Sequence, residues 1–363
     1  MRRGTSSIAL PQLFRLLPRR LHVIPLTYVV AAALLIALCY IYSARQPAAF
    51  AEESKCYVLD VKGRLGNLMF QYAALAGLCV SRGHDPEKCA ALKSLSEKNN
   101  KWLPINEFFS FFRISSPLCR SNGKKFTEHS KEVLGSGGVG FDQALAQQSE
   151  GTLLEGFFQS YRYFNDQKSR EFLLRKFKFP MAINLKAKYF LSEIASKIPS
   201  REYKLVCMSC RRGDKSLSNT SSIYNRWALS LNYYEKALQA FKERHKKISV
   251  VVFTGGGVGK RWREDDLKWT NENIIEKFQD KDTVFFSDRK INADHFVSLR
   301  VLTLCPNLII SSSTYSWWAA YLAGNGSLVI APKNIHDNLH YNFKDYYPPE
   351  WTLLDEESAA RIL

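Results

Sequence analysis

Three short stretches of this chain combine residue types that could handle a charged, oxygen-rich ligand. The first is Arg211-Arg212-Gly213-Asp214, where two guanidiniums follow an apolar run and a glycine permits a turn. Paired arginines can grip the oxygens of a diphosphate through paired hydrogen bonds. Asp214 could orient one of them, or accept a bond from a sugar or a base. Taken alone, the tetrapeptide reads as a basic turn with a local ion pair. The strand before it and the two further stretches reverse that preference. The second stretch, Gly63-Arg64-Leu65-Gly66-Asn67, opens a helical pattern. Its glycines let the backbone approach a ligand, and a helix N-terminus favours anions. The spacing matches neither the dinucleotide nor the P-loop fingerprint, and a tight turn at positive φ explains the same residues equally well. The third, Ser311-Ser312-Ser313-Thr314-Tyr315-Ser316-Trp317-Trp318, offers small hydroxyl donors such as Ser313, Thr314 and Ser316 to phosphate oxygens. Trp317 and Trp318 could stack on a sugar, but in the run Trp-Trp-Ala-Ala-Tyr-Leu they read first as core residues.

These stretches need a frame that brings them to one place. Cys56–Val61, Leu205–Ser209, Ser249–Thr254, Thr283–Phe286, Asn307–Ser311 and Leu328–Ala331 are short apolar or β-branched runs that read as strands. Leu68, Tyr72, Leu75 and Cys79 recur at helical intervals, with Gly83 as a stop. Asn232 followed by Glu235 marks a second helix start, with Ala237, Leu238 and Phe241 as its buried face, and a third helix is expected around Ala293–Leu304. Strands alternating with helices imply a parallel sheet covered on both faces, and such sheets bind ligands at the carboxyl ends of their strands. The three polar stretches fall at such ends. Gly135-Ser136-Gly137-Gly138 marks a loop.

The chain has 363 residues, 46% of them hydrophobic, and a net charge of +17. That supports one large core or two smaller ones and excludes a disordered protein. Val23–Tyr42 carries no charge over twenty residues, enough to cross a bilayer core. Five arginines precede it and one follows, so positive charge should keep the N-terminus in the cytosol. The expected layout is a cytoplasmic tail over 1–20, a transmembrane signal anchor over 21–42 and a short stem over 43–54. The remainder then lies in the secretory lumen, where its net +13 could not meet nucleic acid. Of eight cysteines, Cys39 falls in the anchor. Seven remain, so at least one thiol is left without an intrachain partner. Cys207 and Cys210 form a C-x-x-C with no second pair to complete a zinc site, and a structural role is expected. Asn219 and Asn325 head N-x-[ST] sequons that permit glycosylation. Asp280-Lys281-Asp282 has D-x-D spacing but sits in a charged turn, so it reads as surface.

Gly63-Arg64-Leu65-Gly66-Asn67-Leu68-Met69-Phe70-Gln71-Tyr72-Ala73 resembles the N-terminal signature of the α-1,2-fucosyltransferases. Glu155-Gly156-Phe157-Phe158-Gln159-Ser160 with Tyr163-Phe164 is similar to a second segment of that family. Arg211-Arg212-Gly213-Asp214 resembles a box shared across GDP-fucose enzymes, and Cys305 through Ser316-Trp317-Trp318-Ala319-Ala320-Tyr321-Leu322 resembles the family's C-terminal motif. Four matches in order cover roughly residues 56–335. The resemblance implies an α/β fold of two Rossmann-like domains, the GT-B type, behind the anchor. An N-terminal half over 55–200 would be the acceptor side, and a C-terminal half over 201–363 the GDP-fucose side. It also implies inverting transfer of L-fucose from GDP-β-L-fucose to a terminal β-galactoside in the Golgi, with no cofactor and no metal. Arg211 and Asp214 would be catalytic. Gly63, Arg64, Gly66, Asn67, Arg211, Arg212, Asp214, Ser313, Thr314 and Ser316 would bind the donor. Asp214 and Glu155 are the candidates for the general base.

The sequence also departs from the family. Ser209 stands where the arginine box usually has His, and Cys210 replaces an apolar neighbour. Thr254-Gly255-Gly256 replaces a more acidic segment, and Ser312 an Asn. Two alternatives therefore stay open: fucosyl transfer to another linkage or a protein acceptor, and a catalytically silent luminal protein that binds glycan or GDP-fucose.

Overall fold

The computed structural model describes residues 55–93, 105–128, 140–212, 228–255, 260–324, 326–333 and 345–355, together with the single residue Leu34. The expected tail, anchor and stem therefore lie outside the described residues, as do Asp214, the sequon asparagines Asn219 and Asn325, and the Gly135–Gly138 loop. Among the described residues no helix is long and apolar enough to cross a membrane.

Two parallel sheets organise residues 54–363, which form one compact unit. The first contains β1 (Tyr57–Asp60), β2 (Ala90–Lys93), β3 (Lys125–Thr127) and β4 (Leu153–Glu155), in the order β2-β1-β4-β3. The second contains β5 (Lys204–Cys210), β6 (Ile248–Thr254), β7 (Thr283–Phe286), β8 (Asn307–Ile309), β9 (Leu328–Pro332) and β10 (Thr352–Leu354), in the order β10-β9-β8-β5-β6-β7. All seven residues of β6 are buried. A strand covered by helices on both faces has no solvent side, so it reads as a continuous apolar run.

The longer helices among the described residues are α1 (Leu65–Ser81), α2 (Ile105–Phe112), α3 (Gln167–Lys176), α4 (Met181–Lys197), α5 (Leu231–His245), α6 (Lys260–Thr270), α7 (His295–Thr303) and α8 (Thr314–Ala323). Side chains cap several of their amino ends. Asp166 accepts from Ser169 N at 2.9 Å to start α3, and Asp294 from Val297 N at 3.1 Å to start α7. The start of α5 corrects the sequence reading. Its cap is Ser230, whose hydroxyl accepts from Tyr233 N, and Asn232 already lies inside the helix. Two cap-forming residues two positions apart offer the same local chemistry, and burial of Tyr233 and Tyr234 selects the earlier one.

One continuous core joins the sheets. α1 is buried on nearly every side, beyond the single stripe its periodicity predicts, because α8 packs against it. Phe70 of α1 lies 4.4 Å from Trp317 and 5.2 Å from Trp318, ring centre to ring centre. Both tryptophans are 0% exposed, and Trp317 Nε1 donates to Tyr346 O at 3.0 Å, so they are core residues. Among the described residues three disulfides join Cys56 to Cys119, Cys79 to Cys89 and Cys207 to Cys305, leaving Cys210 as a buried thiol. Cys207 and Cys210 lie three residues apart on β5, so they point to opposite faces and cannot pair.

Candidate active site

Four strands deliver polar residues to one region at their carboxyl ends. From β1 the chain turns through Lys62 and Gly63 into α1. Gly63 has φ +92°, and a Cβ there would fall 2.4 Å from Asn67 Nδ2, so both conformation and space require glycine. Buried Gln71 locks the turn. Its Oε1 accepts from Lys62 N at 2.9 Å, and its Nε2 donates to Lys62 O at 2.7 Å and Asn67 O at 3.0 Å. Arg64 occupies the N-cap of α1 and is half-buried.

The first turn of α1 meets the first turn of α8. A Cβ on Gly66 would lie 2.5 Å from the carbonyl carbon of Thr314 and 2.6 Å from Tyr315 N, so this glycine sets how closely the two helix ends approach. Beside it, Asn67 Oδ1 accepts from Thr314 Oγ1 at 3.0 Å and from Gln159 Nε2 at 3.1 Å. One amide oxygen thus ties together segments that follow β1, β4 and β8.

The fourth strand, β5, contributes Arg211, whose Nη1 donates to Ser313 Oγ at 3.2 Å. Ser313 is the N-cap of α8, yet its hydroxyl makes no bond to the helix's own amides. A guanidinium therefore stands beside a helix N-terminus, and both favour a ligand with anionic oxygens. Behind them runs a ladder of hydroxyls. Ser209 Oγ lies 3.2 Å from Ser311 Oγ, which lies 3.4 Å from Ser316 Oγ, and Ser316 donates inward to the carbonyls of Ser311 and Ser313. Ser209 thus spends its hydroxyl joining the ends of β5 and β8.

Gly66, Asn67, Arg211, Ser313 and Thr314 are accordingly brought together. Other sequence-derived candidates are directed elsewhere. Ser316 is fully buried and braces the turn from inside. Arg212 stacks on Trp269 of α6, its guanidinium carbon 3.9 Å from the ring centre, so the two arginines do not act as one fork. Glu155 pairs with Lys125 on the neighbouring strand at 2.8 Å. Asp280 accepts from Lys242 at 2.7 Å and from Asp282 N at 2.8 Å, holding the D-x-D segment as a charged surface turn. Cys210 receives a bond from Thr270 Oγ1 at 3.6 Å, and burial pushes its thiol up to about 11. It is a packed, inert side chain.

A model of glycosyl transferase family 11 matches residues 147–355, more than half of the sequence. The chain belongs to glycosyl transferase family 11. This family 11 chain is 27% identical over 312 residues to galactoside alpha-(1,2)-fucosyltransferase 1 of Mus musculus, covering 84% of this chain and 72% of that protein. It is 28% identical over 202 residues to an alpha-1,2-colitosyltransferase of Escherichia coli, covering 55% of this chain and 62% of that one. Among solved structures it is similar to an Arabidopsis thaliana FUT1 mutant in complex with GDP, at 11% identity and a TM-score of 0.41, covering 83% of this chain and 76% of that one. The family match takes in the segments around Gln159, Arg211 and Ser313, while Gly66 and Asn67 lie before it.

Sequence reasoning did not single out Gln159, Gln71 or Trp269 for these roles. Gln159 and Gln71 lie inside the two N-terminal motif segments, and that was the available signal. Trp269 carries none, because a lone tryptophan on a charged helix does not announce which cation it will meet.

Proposed function

We propose that this glycosyltransferase moves L-fucose from GDP-β-L-fucose to the 2-hydroxyl of a terminal β-galactose, inverting the anomeric centre and requiring no divalent metal. The observation that carries the reading is the contact of Arg211 with Ser313 at the start of α8, beside the Asn67 bridge. It supplies a fixed cation and a helix N-terminus where a departing diphosphate needs both. The α-1,2 linkage appears in the names of the mammalian and bacterial relatives alike, which supports the same linkage here.

In the proposed reaction the acceptor oxygen forms its bond to the anomeric carbon as the bond to the β-phosphate oxygen breaks. The electron pair departs with GDP, and Arg211 meets the charge that develops there. One such preorganised donor is worth roughly 3–4 kcal/mol of barrier. Arg64 and the hydroxyls of Ser313 and Thr314 would line the same diphosphate, with Asp214 orienting the arginine box or accepting the acceptor's proton. On this reading residues 55–200 form the acceptor side and 201–363 the donor side of a GT-B arrangement. We further infer a single-pass type II Golgi protein with its catalytic domain in the lumen. The uncharged run over Val23–Tyr42 supports this, and so do three disulfides, which belong to oxidising compartments.

The test is to incubate the full-length protein with GDP-fucose and a panel of galactosides, with and without chelator. Acceptor-dependent GDP release and a 2-linked product, both unaffected by chelator, are expected. R211A should lose at least 100-fold in kcat while keeping its melting temperature. Full activity in R211A, or no transfer by the wild-type protein to any acceptor, overturns the reading.

A further inference from the structure

The turn after β4 is held by a residue far away in sequence. Glu128 immediately succeeds β3, is 1% exposed, and its backbone N–H donates to Glu155 O at 2.8 Å. Its Oε2 accepts from Phe157 N at 3.0 Å and Phe158 N at 2.7 Å, and its Oε1 accepts from Tyr163 Oη at 2.9 Å. Among the described residues no lysine or arginine pairs with it. A buried carboxyl group is costly unless its oxygens are hydrogen-bonded, and each of these side-chain bonds comes from the turn after β4 and the residues that follow it.

Two details show that the turn is shaped around this group. A Cβ on Gly156 would lie 2.6 Å from both Cβ and Oε2 of Glu128, so only glycine lets the backbone come close enough. Phe158 sits at φ +50°, the left-handed region that a bulky residue adopts only when its surroundings impose it. The next residue, Gln159, reaches Asn67 with its side chain, and through Asn67 the start of α8 beside Arg211. Phe157 and Gln159 are half-buried while Phe158 is buried, so the strained turn presents one face of the segment to the region where the strand ends meet.

We propose that Glu128 is a positioning residue for transfer: its carboxyl group fixes the Gly156–Gln159 turn, which seats Gln159 on Asn67 and shapes the acceptor side of the site. The group acts through the turn and does not touch substrate. This rests on the functional reading above, and the experiment separates the two failures.

The test compares E128A, E128Q and G156A in the full-length protein, measuring steady-state kinetics for donor and acceptor and hydrogen exchange across residues 156–160. In E128Q the amide oxygen can still accept the two N–H bonds, and Tyr163 Oη has Gly140 O at 3.4 Å as another acceptor. E128Q should therefore stay within about 3-fold of wild type. E128A should lose at least 10-fold in kcat/KM for the acceptor, with the KM for GDP-fucose changed less than 2-fold. Exchange at Phe157 and Phe158 should rise at least 10-fold in E128A and stay slow in E128Q. G156A keeps Glu128 but pushes it from the amides, and should reproduce the acceptor-specific loss even if E128A fails to fold. Unchanged acceptor kinetics in a folded E128A or G156A overturns the proposal. So does an E128Q as impaired as E128A, which would make the carboxylate a chemical participant. If the wild-type protein transfers nothing, the functional reading falls. Unchanged exchange at Phe157 and Phe158 in E128A would then reject the clamp on its own.

Discussion

Glu128 also makes stability depend on pH in a direction opposite to that of an ordinary paired carboxylate. Burial raises its carboxyl group from 4.5 to about 8, and the bonds from Phe158, Tyr163 and Phe157 offset only part of that. The folded protein therefore keeps this proton over a range in which the unfolded chain has released it. Between pH 4.5 and pH 8 the unfolded state binds fewer protons, so stability falls as pH rises through that window. Below it and above it the group contributes no slope. At about 1.4 kcal/mol for each pH unit separating the two titrations, the full span is on the order of 5 kcal/mol. E128Q removes the titration while keeping an acceptor for the two amides. Calorimetry on both proteins from pH 5 to pH 8.5 should show the E128Q melting temperature gaining on wild type by on the order of 10 °C across the series. A gap that stays constant over that range refutes the reasoning, because it would mean that Glu128 is already ionised in the folded protein at pH 5.

Three further outcomes are expected. G66A drives a methyl into the Thr314 backbone, so α1 and α8 must separate; a destabilisation of about 1–3 kcal/mol in urea titrations should accompany weaker GDP binding. W269A removes the ring under Arg212, a contact worth roughly 0.5–2 kcal/mol, and should change GDP affinity by less than R211A does in the same calorimetric titration. Cys210 should resist iodoacetamide in the native protein at pH 8, where burial keeps its thiol protonated, and react fully once the chain is unfolded, as read by mass spectrometry.

The central strand β6 was legible because burial on both faces leaves a long β-branched run, read as Ser249–Thr254 and found over Ile248–Thr254, while the edge strand β7 showed itself through the β-branched and aromatic residues of Thr283–Phe286. β2, β3, β4 and β10 have three or four residues each, too few for any period to emerge, and they exist through pairing with neighbours far along the chain. The site divides in the same way. Gly63, Gly66, Asn67, Arg211, Ser313 and Thr314 sit in motifs whose residue types announce an anion. Glu128 is a single acid beside a short strand, and only the folding of β3 beside β4 gives it two amides to hold. The separate fates of the two arginines were likewise closed to sequence reasoning, since Trp269 lies 57 residues beyond Arg212.

The join between the sheets bears on how the molecule comes apart. Phe70 packs on Trp317, Phe111 stacks on Phe296 with ring centres 3.5 Å apart, and Asn67 is bonded on both sides. Neither sheet can leave the other without wetting those aromatic faces. Heating should therefore produce one cooperative transition, not two. Either half expressed alone should be insoluble until its complement is supplied.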